Sequence, residues 1–225
     1  MRKAIIGLSG GADSSTLLGI LLSKGFEVYC CSFHYGSKHN SYEREAVENV
    51  INYYKSLSFP VVLHKINLNE AFNNFKSNLL KTGEEIPEGH YEGENMKLTV
   101  VPGRNMIFTS IMAGLAESVG AQIIALGVHA GDHTIYPDCR HEFIKALDVA
   151  IYLSSDRKVE IVTPLIKDDK AGILKRGYEL IPPVPYHLTR TCYKDQPIAC
   201  GKCGSCWERR EAFYKIGIPD PIEYE

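Results

Sequence analysis

The sequence predicts an α/β fold, a doubly wound parallel sheet of the Rossmann-like kind with a small cysteine-rich module at its C-terminal end. Three observations carry that reading. Short apolar strands alternate with amphipathic helices through the first two-thirds of the chain, the pattern of a parallel sheet covered on both faces. A run of glycines and serines sits where the first strand hands over to the first helix, the place where such sheets receive ligands. Four of the seven cysteines lie between positions 192 and 206.

Residues 2–8 read as a buried strand. Residues 14–24 form a helix on Leu17, Leu18, Leu21 and Leu22, stopped at Gly25. Residues 27–33 are the next strand. Ser41 can N-cap a helix to about Leu57, with Ala46, Val47, Val50, Ile51 and Tyr54 on one face. Pro60 punctuates, and 61–66 is a third strand. Residues 69–100 break the rhythm: polar, with Gly83, Pro87, Gly89 and Gly93, they read as an insertion of the lid or binding-loop type. Helix 104–118, strand 123–128, helix 142–153, strand 159–162 and helix 169–180 follow, the last ended by Pro182-Pro183. The main domain is expected over 1–184. The module is expected over 185–225, with a short helix at 207–216.

The chain has 225 residues, 25 Lys+Arg against 27 Asp+Glu, a net charge of −2, and 44% hydrophobic residues. That apolar content excludes dominant disorder. The near-neutral balance argues against a broad nucleic-acid surface, which needs excess cations to neutralise phosphates. An odd cysteine count does not fit a complete disulfide set. Met1-Arg2-Lys3 leads into an apolar run too short for a signal core. No apolar stretch approaches the roughly 20 residues of a membrane span. A reducing, cytoplasmic setting without membrane association is therefore expected.

Leu8-Ser9-Gly10-Gly11-Ala12-Asp13-Ser14-Ser15-Thr16 spans the first strand end. Its glycines let the backbone approach a ligand, and its N–H groups and the helix start can receive an anion. Asp13 suits a divalent cation beside phosphates. The Walker lysine is missing, so this is not a G-x-x-x-x-G-K-[ST] loop. Cys192, Cys200, Cys203 and Cys206 stand in a C-x7-C-x2-C-x2-C pattern. Four thiolates would close a tetrahedral, structural zinc site, one ion per chain. A redox C-x2-C pair is the rival. Cys30 and Cys31 read as strand packing, and Cys139 as a structural thiol.

The S-G-G-x-D-S run resembles the pyrophosphate loop of the PP-loop, or N-type, ATP pyrophosphatases, which cleave ATP to AMP and pyrophosphate while adenylating an oxygen. Further stretches sharpen this: His34-Tyr35-Gly36, Val101-Pro102-Gly103-Arg104-Asn105, Gly127 to His133, Tyr136-Pro137-Asp138-Cys139-Arg140, and Lys170 beyond Pro164-Leu165-Ile166. With the cysteine spacing, they resemble the 7-cyano-7-deazaguanine synthase (QueC) family over nearly the whole chain.

The resemblance implies an adenine nucleotide alpha hydrolase-like fold and an ATP-dependent ligase. It would convert 7-carboxy-7-deazaguanine and ammonia to 7-cyano-7-deazaguanine through an adenylated carboxylate and an amide, in queuosine or archaeosine precursor synthesis. Carried over by position, residues Leu8 to Thr16 would cradle ATP, with Mg²⁺ near Asp13. Arg104 and Lys170 would meet developing phosphate charge. Asp138 and Arg140 would read the deazaguanine, unless they simply pair with each other. His34, Tyr35, Asp132 and Tyr136 would border it. His129, His133 and His141 are too irregularly spaced for a second metal site and read as loop polarity and substrate contacts. A homodimer is implied. The competing readings are a PP-loop tRNA-modifying enzyme, which the charge of −2 disfavours, and a zinc-stapled binding module without a substrate pocket.

Overall fold

The computed structural model describes residues 1–89, 94–133, 135–156 and 158–225. Gly93, His90 and Tyr91 of the predicted insertion lie outside them. Five strands, β1 (Arg2–Gly7), β2 (Phe26–His34), β3 (Val61–Asn67), β4 (Ile123–Ala125) and β5 (Glu160–Val162), form one sheet in the order β3-β2-β1-β4-β5. Every pairing is parallel. The helices are α1 (Ala12–Ser23), α2 (Asn40–Ser56), the single turn α3 (Asn69–Phe72), α4 (Arg104–Val119), α5 (His141–Ser154), α6 (Lys170–Glu179) and α7 (Gly204–Ile216).

The period-2 alternation of the strands sorts side chains to two faces. Ile5, Cys31, Phe33 and Ile124 go to one, with Met112 and Ala116 of α4 and Ile144 and Leu147 of α5. Ala4, Ile6, Val28, Cys30 and Ala125 go to the other, with Leu17 and Leu21 of α1, Val47 and Val50 of α2, and Ile173 of α6. Cys30 and Cys31 are both fully buried and unpaired, as packing residues should be. The chain runs outward from β1 to β3, then returns to the other side of β1 for β4. The strand order therefore reverses at β1, and a crevice opens beyond the carboxyl ends of β1 and β4.

The differences from expectation are local. α1 starts at Ala12, two residues before Ser14, because extended Gly11 already serves as its N-cap. It is also buried nearly all round, since α6 covers the side away from the sheet. α2 is entered from His39, and Ser41 lies inside it without capping. Asp169 is the N-cap of α6, its carboxylate accepting the Gly172 N–H at 2.8 Å. β4 stops at Ala125, not Val128, because the chain leaves the sheet there for the crevice. α7 begins at Gly204, three residues before Trp207, with Cys203 as its N-cap.

The 69–100 segment buries Phe72, Leu79, Leu80 and Met96 in the core beside α4. Its Gly89 N–H bonds the Lys202 carbonyl, so it also touches the cysteine-bearing tail. The tail is held by Tyr186, Ala212 and Phe213, which pack with Ala12 and Leu174. Arg209 is fully buried there. It donates twice to Asp220, at 2.9 and 3.0 Å, and to the Tyr186 carbonyl, Thr189 and Thr191. No helix of the described residues is long and apolar enough to cross a membrane.

Candidate active site

The loop after β1 is braced from within. The Ser14 hydroxyl accepts the Ser9 N–H at 3.2 Å, lies 3.1 Å from the Ser9 hydroxyl and reaches the Gly11 carbonyl at 3.3 Å. Gly10 has φ +76°, and a Cβ on it would fall 2.9 Å from both the Ala46 Cβ and the Val47 nitrogen. Only glycine meets both conditions. Ser9, Gly11, Asp13 and Ser14 line a cavity of about 280 Å³, as does Leu8, near the lower end of ligand-pocket sizes. Gly10, Ala12, Ser15 and Thr16 are not among the lining residues. Ser15 and Thr16 are fully buried under the loop. Thr16 bonds the Ala12 carbonyl and the Tyr186 hydroxyl, both at 2.8 Å, which ties α1 to the tail.

Beside the loop lies a cluster of charge. Lys170, at the first position of α6, places Nζ 2.5 Å from Asp13 Oδ2 and 3.1 Å from Glu208 Oε2. Its side chain is only 7% exposed. Burial alone would raise the Asp13 pKa, but the Lys170 ammonium outweighs it and holds the carboxyl below its ordinary value. Burial pushes Lys170 toward neutrality, yet its two carboxylate partners win and keep it firmly protonated. Burial raises the Glu208 carboxyl, with Lys170 offsetting part of the effect. His129 is buried: Nδ1 accepts the Gly131 N–H at 3.1 Å, which leaves the proton on Nε2. Nε2 lies 3.6–3.9 Å from Asp132, Asp13 and Glu208. His129, expected to supply loop polarity and substrate contacts, is buried among carboxylates.

The second set of lining groups is aromatic. Phe33 and Phe108 stack with centroids 4.0 Å apart. Tyr35 meets Phe108 edge-on at 5.3 Å. The Arg104 guanidinium lies 6.0 Å from the ring centres of both Tyr35 and Tyr136 and donates to the Tyr35 hydroxyl at 3.3 Å. Among the described residues no carboxylate lies within ion-pair distance of it. Tyr35, Arg104, Asp132, Tyr136 and Lys170 thus share one cavity with the loop.

Three predicted substrate residues do not line it. His34 sits at the end of β2, half-buried. Arg140 is exposed and donates to the His133 carbonyl at 3.2 Å. Asp138 accepts the Asn105 backbone N–H at 3.0 Å, satisfying an orphan donor at the start of α4, so it pairs with the helix end rather than with Arg140. The cavity also takes Tyr193, Ser205 and Glu208 from the tail. Sequence reasoning missed these. No local signal marks them, because α7 starts behind Cys203, an N-cap without a side-chain hydrogen bond, and so places Ser205 and Glu208 on its first two turns.

Cys192, Cys200, Cys203 and Cys206 are all buried, and their sulfurs lie within 4.8 Å of one another. Cys200 and Cys206 sulfurs are 3.9 Å apart, against about 3.8 Å for the edge of a tetrahedron with 2.3 Å metal–sulfur bonds. Cys192 Sγ accepts the N–H groups of Lys194 and Cys200, and Cys200 Sγ that of Cys203. Hydrogen bonds from Cys203 and Cys206 hold the Cys192 thiol far below its usual range. The contact with Cys192, with burial adding to it, pushes Cys203 up to about 12. Four sulfurs competing for protons in so small a volume are suited to hold a metal ion in their place. They are the only such set among the described residues.

A family model described as Queuosine biosynthesis protein QueC matches residues 3–217. The chain belongs to the QueC family. Among its relatives, the 7-cyano-7-deazaguanine synthase of Caldicellulosiruptor bescii is 46% identical, covering 99% of this chain and 97% of the relative. That of Marinomonas sp. (strain MWYL1) is 44% identical, covering 100% and 99%. Among solved structures, a 4-thiouridine synthetase in complex with RNA and bound ATP superposes with a TM-score of 0.58 at 18% identity, over 99% of this chain and 47% of that one. The last similarity shows a shared fold.

Proposed function

We propose that the chain is an ATP-dependent ligase of this family, converting 7-carboxy-7-deazaguanine and ammonia to 7-cyano-7-deazaguanine. The observation that carries this reading is one cavity holding both a phosphate-type loop and an aromatic box around Arg104, which has no carboxylate within ion-pair distance among the described residues. The loop N–H groups, Ser9, Ser14 and Lys170 receive the phosphates of ATP. Asp13 Oδ1 is buried without a hydrogen-bond partner, which suits an oxygen that ligates Mg²⁺. The rings stack on the flat heterocycle, and Arg104 draws its carboxylate toward the α-phosphate.

The chemistry follows from leaving groups. A carboxylate oxygen attacks the α-phosphorus and expels pyrophosphate. Ammonia displaces AMP to give the amide. The amide oxygen is adenylated by a second ATP, and loss of AMP with the nitrogen's protons leaves the nitrile. The four cysteines hold a structural Zn²⁺, whose chemistry is limited to neutralising thiolates and fixing the tail. A cytoplasmic homodimer without membrane partners completes the proposal, and the net charge of −2 supports the further reading that it has no nucleic-acid partner.

The test is incubation of pure protein with ATP, Mg²⁺, ammonium and 7-carboxy-7-deazaguanine, read by mass spectrometry. AMP and the nitrile are expected. Absence of AMP refutes the reading, and an amide as the sole product refutes its second half.

A further inference from the structure

Lys170 is held by two carboxylates from distant parts of the chain. Its ammonium has three N–H donors. One is donated to Asp13, and Glu208 Oε2 stands 3.1 Å from the same nitrogen as its ion-pair partner. The ammonium bonds no other acceptor among the described residues, and the side chain lines the cavity. Two carboxylates on separate elements therefore fix where the ammonium sits, with N–H groups left for the cavity. One carboxylate already balances one ammonium, so neutralising Lys170 does not by itself account for burying Glu208 as well.

Glu208 is itself firmly placed. It stands on the first turns of α7, between Cys206 of the sulfur cluster and Arg209, which is buried and bonded on several sides. The cysteine module therefore reaches Lys170 through Glu208, beside the backbone bond from the Arg190 N–H to the Gly10 carbonyl at 2.8 Å.

We propose that Glu208 is a positioning residue: its carboxylate holds the Lys170 ammonium in place so that an N–H faces the oxygen bound over the loop, including when Asp13 is engaged by the magnesium nucleotide. This rests on reading the cavity as an ATP site. It assigns the cysteine module a part in aligning the lysine, beyond fixing the tail.

The experiment is a double-mutant cycle on AMP formation, measured in single turnovers with labelled ATP. Wild-type protein that makes no AMP removes the ATP-site reading itself. With the wild type active, Glu208→Leu should slow AMP formation about 10²-fold, the cost of a misplaced catalytic group. KM for the deazaguanine should stay within about 2-fold. Glu208→Gln, whose amide oxygen still accepts a hydrogen bond, should lose less. In a Lys170→Met background, Glu208→Leu should change the rate by less than about 2-fold, because nothing remains to be aimed. Effects that multiply, or a loss confined to KM, overturn the proposal. Metal content and melting temperature matching the wild type separate the effect from damage to the tail. If Glu208→Leu fails that control, the cycle is run with Glu208→Gln. A nucleotide-bound crystal structure gives a second decision: Lys170 bonded to both Glu208 and a phosphate oxygen supports the clamp, and Lys170 parted from Glu208 overturns it.

Discussion

Replacing Arg209 by leucine should be among the most destabilising changes in the tail. The guanidinium side chain is 1% exposed and its partner Asp220 9%. Besides the two bonds to Asp220, it donates to Thr189 at 2.7 Å, the Tyr186 carbonyl at 3.1 Å and Thr191 at 3.2 Å. Leucine leaves the Asp220 carboxylate buried without its cation, which costs about 3–5 kcal/mol. Unfolding entropy scales with length, so a chain of 225 residues has about 0.5 kcal/mol/K at its midpoint. The melting temperature should therefore fall by about 6–11 °C. Arg209→Lys should lie between, since an ammonium keeps the charge but cannot reproduce the planar fork. The exposed neighbour Arg210, with one bond to the Gly201 carbonyl at 3.3 Å, serves as the control. Its alanine variant should shift the midpoint by no more than about 2 °C. Differential scanning calorimetry of the three variants decides the matter. An Arg209→Leu midpoint no lower than that of Arg210→Ala would refute the claim that this buried network anchors the tail.

Three further predictions follow from the site. Gly10→Ala should destabilise by about 1–3 kcal/mol and weaken ATP binding, through positive φ and the contacts at Ala46 and Val47; denaturation midpoints and nucleotide titration check both. Cys203→Ser should reduce bound zinc from about one ion per chain to far less, read by elemental analysis, and intact metal content would remove Cys203 from the set. The folded Asp13 pKa lies below its ordinary 3.8, so the Asp13–Lys170 pair contributes stability that is fully present above the unfolded value and is lost as pH falls through the folded one. The difference in urea midpoint between wild type and Asp13→Asn should hold steady from about pH 5 to 8 and shrink below about pH 4; a difference that grows in acid would contradict the pairing.

The sheet was legible because its apolar runs and helical stripes have the right periods: each strand and long helix lies within a few residues of its expected place. The ends were less so, because capping is decided by backbone angles. Gly11 and Cys203 cap helices without a side-chain hydrogen bond, so neither advertises itself as serine or aspartate would. Within the cavity, Asp13, Arg104 and Lys170 follow strand ends or open helices, and the resemblance of their motifs to the family is what marks them. Glu208, Ser205 and Tyr193 reach the same cavity from a polar tail. What brings them there is the docking of Tyr186 and Phe213 onto α1 and α6, a long-range contact that no local period announces. Asp138 shows the converse, a residue of functional type spent on a helix end.

The central claim is that ATP activates the substrate's own carboxylate oxygen in the cavity beside Asp13, Lys170 and Arg104. The most direct measurement uses 7-carboxy-7-deazaguanine labelled with oxygen-18 in its carboxylate, with the isotope followed by mass spectrometry of the AMP released. Activation by adenylation predicts that each AMP carries one heavy oxygen and that the nitrile carries none. Unlabelled AMP, with the isotope retained on the heterocycle or lost to water, would contradict it.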